Sequence, residues 1–197
     1  LGSMPVMRIL SKATRIIAEG EVLQLSKIRD ASTSEETYME VIRGKTAMLF
    51  EASSHSAAVL AGADEVQTEA LRVFGDHLGV AFQLMDDLLD YRGDAQAMGK
   101  NVGDDLAEGK PTLPLIHAMR EGTPAQAELV RKAIQQGGSQ DIESIRATVE
   151  AAGSLDYTAQ LARDFAEKAI QCLSTLPASQ YRDALSELTR FAVARSN

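Results

Sequence analysis

Apolar residues return at every third or fourth position along most of this chain, and no stretch alternates apolar and polar residues for long. That rhythm is the signature of amphipathic helices, and it leaves little room for a sheet. Val6, Ile9, Leu10, Ala13, Ile16 and Ile17 trace one buried helix face. Tyr38, Val41, Ile42, Met48, Leu49 and Ala52 trace a second, with Ser32 or Ser34 available as its cap and Glu35 and Glu36 in its first turn. Val73, Leu78, Ala81, Phe82, Met85, Leu88 and Leu89 trace a third. Only Pro5 interrupts the first 110 residues with proline. Later helices are set off by punctuation: Thr123-Pro124 as cap and first helical position, and Gly137-Gly138 as the stop. Ile142, Ile145 and Val149 mark a short helix stopping near Gly153. Ser154 could cap the next, with Leu155, Leu161, Phe165, Ala169 and Leu173 inward until Pro177, and Tyr181, Leu185, Leu188 and Phe191 mark a last one. The expected fold is all-α, without internal repeats.

At 197 residues with 45% apolar content, residues 1–197 can form one domain whose core needs no staples. Twenty Lys and Arg against 28 Asp and Glu give a net charge of -8, which argues against a non-specific nucleic-acid partner. It leaves room for anionic ligands held by a few placed lysines. A single cysteine, Cys172, offers neither an internal disulfide nor a multi-thiolate metal site and points to a reducing cytoplasm. The longest apolar runs, such as Ala57 to Ala61, fall far short of a membrane span. The opening residues show no cationic-then-apolar leader.

One region breaks the helical pattern. Residues 91–114 hold Gly93, Gly99, Gly103 and Gly109 with Pro111 and Pro114, amid many charges. A long connection inside a helical domain is either a solvated surface loop or a functional one.

Just before it, residues 79–90 carry an acidic stripe. At about 100° per residue, Gly79, Gln83, Asp86, Asp87 and Asp90 share one side, while Leu78, Ala81, Met85, Leu88 and Leu89 take much of the other. A solvent-facing edge is one reading. Against it, like charges four residues apart destabilise a helix, and acids near a helix C-terminus meet the negative end of its dipole. A hard cation would reverse both effects, and oxygen-only ligands suit magnesium or calcium.

Lys45 lies at the centre of the second apolar stripe, seven residues after Tyr38 and seven before Ala52, so it either snorkels to an edge or points a charge into a cleft. Thr46 adds a hydroxyl, and Lys100 and Lys110 follow glycines in the loop beyond the acids. Three acids with three lysines form a logical diphosphate site: carboxylates hold magnesium, magnesium bridges phosphate oxygens, and ammonium groups neutralise the remainder. Other chemistries find no support. His55, His77 and His117 lack the acid three positions earlier that di-iron bundles need, and read as ordinary polar residues. No Walker loop, dinucleotide fingerprint or nucleophile elbow occurs, and Cys172 reads as inert packing.

The segment Gly79-Val-Ala-Phe-Gln-Leu-Met-Asp-Asp-Leu-Leu-Asp90 resembles the second aspartate-rich motif of the trans-polyprenyl diphosphate synthases, Gly-x-x-Phe-Gln-x-x-Asp-Asp-x-x-Asp. Lys45-Thr46 is similar to that family's Lys-Thr pair. Gly99-Lys100 and Gly103-Asp-Asp-Leu-Ala-Glu-Gly-Lys-Pro-Thr-Leu-Pro114 resemble its downstream lysine loop. The likeness runs along the whole chain and is nearest to bacterial long-chain synthases of the octaprenyl type, which make quinone side chains.

The resemblance implies an isoprenoid synthase helical bundle, a cytoplasmic homodimer, and magnesium-dependent condensation of isopentenyl diphosphate onto an allylic diphosphate. It implies that Asp86, Asp87 and Asp90 hold magnesium, with Asp86 the foremost ligand. Lys45, Lys100 and Lys110 would then meet the allylic diphosphate, while Thr46 and Gln83 turn oxygen dipoles toward the developing cation. Only one of the family's two aspartate-rich motifs is present, since Asp104-Asp-Leu-Ala-Glu108 lies in the loop and does not fit the other. The chain is therefore expected to match roughly the C-terminal three-fifths of the family fold, without its N-terminal helices. The 197 residues alone are expected to show no detectable prenyl transfer. A non-catalytic subunit of a heteromeric synthase is the alternative, although a structural subunit has no physical need for three acids in a strip.

Overall fold

The computed structural model describes residues 2–92, 103–137 and 142–194. Its helices follow the apolar rhythm: α1 (Met4–Lys27), α2 (Glu35–Ile42), α3 (Met48–Ala61) and α4 (Glu65–Arg92). A four-residue α5 (Asp104–Ala107) leads to α6 (Leu113–Glu121), α7 (Pro124–Gln136), α8 (Ile142–Ala151), α9 (Ser154–Cys172) and α10 (Gln180–Ala194). Among the described residues there is no strand. None of the helices is long and apolar enough to cross a membrane.

Local chemistry explains the boundaries. Ser34 rather than Ser32 caps α2, its hydroxyl accepting from the Thr37 amide at 3.1 Å. Thr123 and Gln126 form a capping box at α7, with Pro124 in its first turn. Gly153, at φ 67°, stands at the N-cap of α9. Ser154 is therefore not the cap but the first helical residue, fully buried, with its hydroxyl 3.0 Å from His117 Nδ1.

Helix α4 is the spine. Twenty-eight residues at 1.5 Å each give it a length of about 42 Å, and α3 and α9 pack along it on different sides. Val80 and Leu84 are as fully buried as Ala81, Met85 and Leu88, so its C-terminal half is enclosed on more than one side. Gly79, in the stripe that carries the acids, is a close-packing position and not an open one. A Cβ there would lie 2.5 Å from Ala47 Cα, so the absent side chain allows the helices to touch backbone to backbone.

Two predicted faces are corrected. In α10 the inward residues are Thr189 and Ala192 with partly buried Leu185, whereas Tyr181, Leu188 and Phe191 stay exposed. Leu10 and Leu49 are also exposed, although each continues an apolar stripe. Periodicity locates the apolar side of a helix; which part of it is covered depends on what packs there.

Candidate diphosphate and metal site

Between α2 and α3 the helix widens into one π turn, Arg43–Ala47, around Lys45 and Thr46. Such bulges are rare and concentrate at functional sites. Here the widening occurs where α1 crosses. A Cβ on Gly20 would stand 2.6 Å from Lys45 N and 2.8 Å from Gly44 C, so only glycine permits this approach. The crossing delivers Lys45 to α1, where its ammonium donates to Gln24 Oε1 at 2.5 Å and pairs with Glu21 Oε2 at 2.8 Å. Lys45 therefore neither snorkels freely into solvent nor sits in the apolar core. It is half-buried, on a cleft wall.

That cleft has a volume of about 340 Å³. Helix α4 supplies Gln83, Asp86, Asp87, Leu89 and Asp90, so Leu89 faces the cleft and not the opposite side. The end of α1 adds Gln24 and Lys27, and the α2–π segment adds Tyr38, Lys45 and Thr46. The far wall, Asp104 to Thr112, adds Asp104, Asp105, Glu108 and Lys110. The stripe of acids is thus not a solvated edge.

The three motif acids are not equivalent. Asp87 is buried, with 3% of its surface exposed, and both carboxylate oxygens are occupied. Tyr38 donates its hydroxyl to Oδ2 at 2.6 Å, and Gln83 donates its amide to Oδ1 at 2.7 Å. Burial, with the charge of Asp105, pushes the Asp87 carboxyl up to about 7 despite these bonds. Asp90 is half-buried, and burial with Asp105 raises it to about 6. Its Oδ2 accepts from the Asp105 amide at 3.3 Å, and its carbonyl accepts from the Gly103 amide at 3.0 Å, which ties the far wall to α4. Asp86 is partly exposed and lines the cleft.

On the far wall Lys110 pairs with Asp105 at 2.9 Å and Glu108 at 2.8 Å. Burial works against its charge, but these carboxylates hold its pKa above lysine's ordinary value. Lys27, at the rim, pairs with Asp30 at 3.1 Å. Thr46 donates its hydroxyl to Gln83 Oε1 at 2.8 Å. Lys100, Gly93 and Gly99 fall outside the described residues. The remaining candidates behave as packing. His117 is buried and stacked on Tyr157 at 4.2 Å, and the Cys172 thiol is pushed up by burial.

Six carboxylates and three lysines line this cleft, a surplus of negative charge in a partly desolvated space. A hard cation fits that donor set. Among the described residues no three acids close into a ready-made cage. Magnesium does not need one, because it is held by one or two carboxylates with substrate phosphates and water completing the octahedron. Tyr38, Glu21 and Gln24 join the site here without having been singled out by sequence, and Asp104, Asp105 and Glu108, noted there only within the loop motif, line its far wall. Tyr38 alone left a signal, as a hydroxyl in an apolar stripe one heptad before Lys45.

The family model for Polyprenyl synthetase matches residues 1–152. The octaprenyl diphosphate synthase of Escherichia coli strain K12 is 50% identical over 99% of this chain and 61% of its own length. The geranyl-diphosphate-specific all-trans-nonaprenyl-diphosphate synthase of Rhodobacter capsulatus is 48% identical over 99% of this chain and 60% of its own. Among solved structures, the polyprenyl synthase of Caulobacter crescentus CB15, complexed with calcium and isoprenyl diphosphate, superposes with a TM-score of 0.92. It is 46% identical over 99% of this chain and 60% of that one. The chain thus spans about three-fifths of the length of the relatives it matches. Its bundle is the all-α fold of the isoprenyl synthases, and the chain belongs to the polyprenyl synthetase family.

Proposed function

We propose that this chain carries the lysine and second-acid side of a magnesium-dependent polyprenyl diphosphate synthase of the octaprenyl type. The reaction condenses isopentenyl diphosphate onto an allylic diphosphate. The observation that carries the reading is the convergence of Asp86 and Asp90, Lys45 and Lys110, and the Thr46–Gln83 pair on one cleft. The calcium and isoprenyl diphosphate of the Caulobacter crescentus structure support the same chemistry.

Ionisation of an allylic diphosphate needs its departing charge neutralised, and magnesium when bound supplies Lewis-acid stabilisation of that leaving group. Asp86 and Asp90 are the residues that would hold it. Asp87, with both oxygens occupied, orients its neighbours instead. Lys45 and Lys110 neutralise the diphosphate oxygens by exchanging carboxylate partners for phosphate, and Lys100 is the third cation the family likeness assigns to that role. Thr46 and Gln83 present oxygen to the forming allylic cation. Apolar walls such as Val41, Ile42 and Leu89 exclude the water that would quench it. The second-motif acids, Lys45, Lys110 and the Thr46–Gln83 pair on one cleft favour catalysis over a non-catalytic partner subunit. The same reading places the protein in the cytoplasm as a homodimer. The lone thiol supports the first, and exposed Met4, Met7 and Leu10 on α1 support the second.

Calorimetric titration tests the proposal. Magnesium-dependent pyrophosphate binding is expected in the native chain and is expected to disappear in a variant combining Asp86→Ala with Lys45→Ala. Equal affinity in the two proteins refutes it.

A further inference from the structure

We infer that Asp87, buried in the cleft wall, sets the direction of the Thr46 hydroxyl and thereby makes the cleft selective for a cation. The inference rests on the synthase reading and adds a positioning role to it. Asp87 accepts at both oxygens, from the Tyr38 hydroxyl at 2.6 Å and the Gln83 amide at 2.7 Å. Two donors on one buried carboxylate leave it acceptor-only. Gln83 has committed its NH₂ to Asp87, so the end facing Thr46 is its carbonyl oxygen, 2.8 Å away. A threonine hydroxyl has one proton, and here that proton goes to Gln83. What Thr46 offers the cleft it lines is therefore its lone pairs.

The order of bonds matters because reversing it is sterically free. An asparagine at position 87 that kept its oxygen toward the Tyr38 hydroxyl would donate to the Gln83 carbonyl. Gln83 would then turn its NH₂ toward Thr46, and the Thr46 proton would point into the cleft. The shape of the wall would be unchanged while the sign of the dipole facing an allylic cation was inverted. In a partly desolvated site one oriented dipole is worth on the order of tenfold to a thousandfold.

The experiment compares a prenyl trimethylammonium ion with its neutral tert-butyl isostere, each titrated into the chain in magnesium and pyrophosphate. The quantity read is the ratio of the two affinities, so that a general weakening of the site cancels. Native protein is expected to favour the cation. Asp87→Asn should lower the ratio about tenfold or more. Asp87→Asn with Gln83→Glu, which restores an acceptor opposite Thr46, should recover the ratio by more than Gln83→Glu alone raises it in the native background, since the single variant measures the effect of the added charge. Thr46→Val, which leaves the buried carboxylate untouched, should also abolish the preference and decides the matter if thermal melting shows the Asp87 variants unfolded. A ratio unchanged in folded Asp87→Asn, or in Thr46→Val, overturns the inference while leaving the synthase reading intact. Failure of the native chain to bind pyrophosphate with magnesium overturns both.

Discussion

The crossing of α1 over the π turn can be tested by one methyl group. In Gly20→Ala the new Cβ would lie 2.6 Å from Lys45 N and 2.8 Å from Gly44 C, about 0.8 and 0.6 Å short of the 3.4 Å at which ordinary contact begins. Both obstacles are backbone atoms, so no rotamer change relieves them and the helices have to separate. Overpacking of this kind costs about 1–3 kcal/mol. Alanine recovers up to ~1 kcal/mol of helix propensity. A π turn next to the contact can yield less than a flexible side chain, so the upper part of the overpacking range applies. The expected net loss is about 2 kcal/mol, or roughly 4–8 °C of melting temperature for a chain of this size. Denaturant melts followed by circular dichroism measure the stability, and pyrophosphate titration reports on Lys45, whose amide is the atom displaced. A Gly20→Ala protein as stable as the native one, with undiminished pyrophosphate affinity, would show that the two helices slide apart freely and that the crossing does not aim the lysine.

Two further outcomes follow from the site and the caps. Asp90 is raised to about 6, so a divalent ion competes with its proton below that value. The increase in melting temperature produced by magnesium should therefore grow as pH rises from about 5 to about 7. A magnesium effect that is flat across this window in thermal melts would remove Asp90 from the ligand set. Thr123→Ala deletes the side-chain half of the α7 capping box and should lower stability by about 1 kcal/mol without altering pyrophosphate affinity, as denaturant melts and calorimetry would show together.

How much of this was legible in the amino-acid order depended on how local the cause was. Helix α7 was readable in full because its start and stop are written in adjacent residues: Thr123, Pro124 and Gly137 act within one turn of themselves. The existence of α10 was equally clear, but its orientation was not. Tyr181, Leu188 and Phe191 make the stronger apolar stripe, and Thr189 and Ala192 are inward only because the small side chains let α10 lie against α4 and α9. The acids and Lys45-Thr46 stood out through spacing and family likeness. Their division of labour did not, since Asp87 differs from Asp86 by one residue yet meets Tyr38 from 49 positions away. The π turn also left no periodic trace. It lies where Gly20 meets Gly44, a contact between segments that no single window of sequence contains.

That widened turn has a consequence for how the chain tolerates length changes. It holds one residue more than an ordinary turn, and because that residue is absorbed within the turn the helices on either side keep the phase of an uninterrupted one. Loss of any single amino acid between Arg43 and Ala47 would let the backbone snap into regular α-helix. Far-ultraviolet spectra would scarcely register it and α2 would keep its phase, so Tyr38 would still reach Asp87, while the segment that carries Lys45 and Thr46 would be drawn back into the helix. Helicity would survive such a deletion, and the alignment of the polar relay would not.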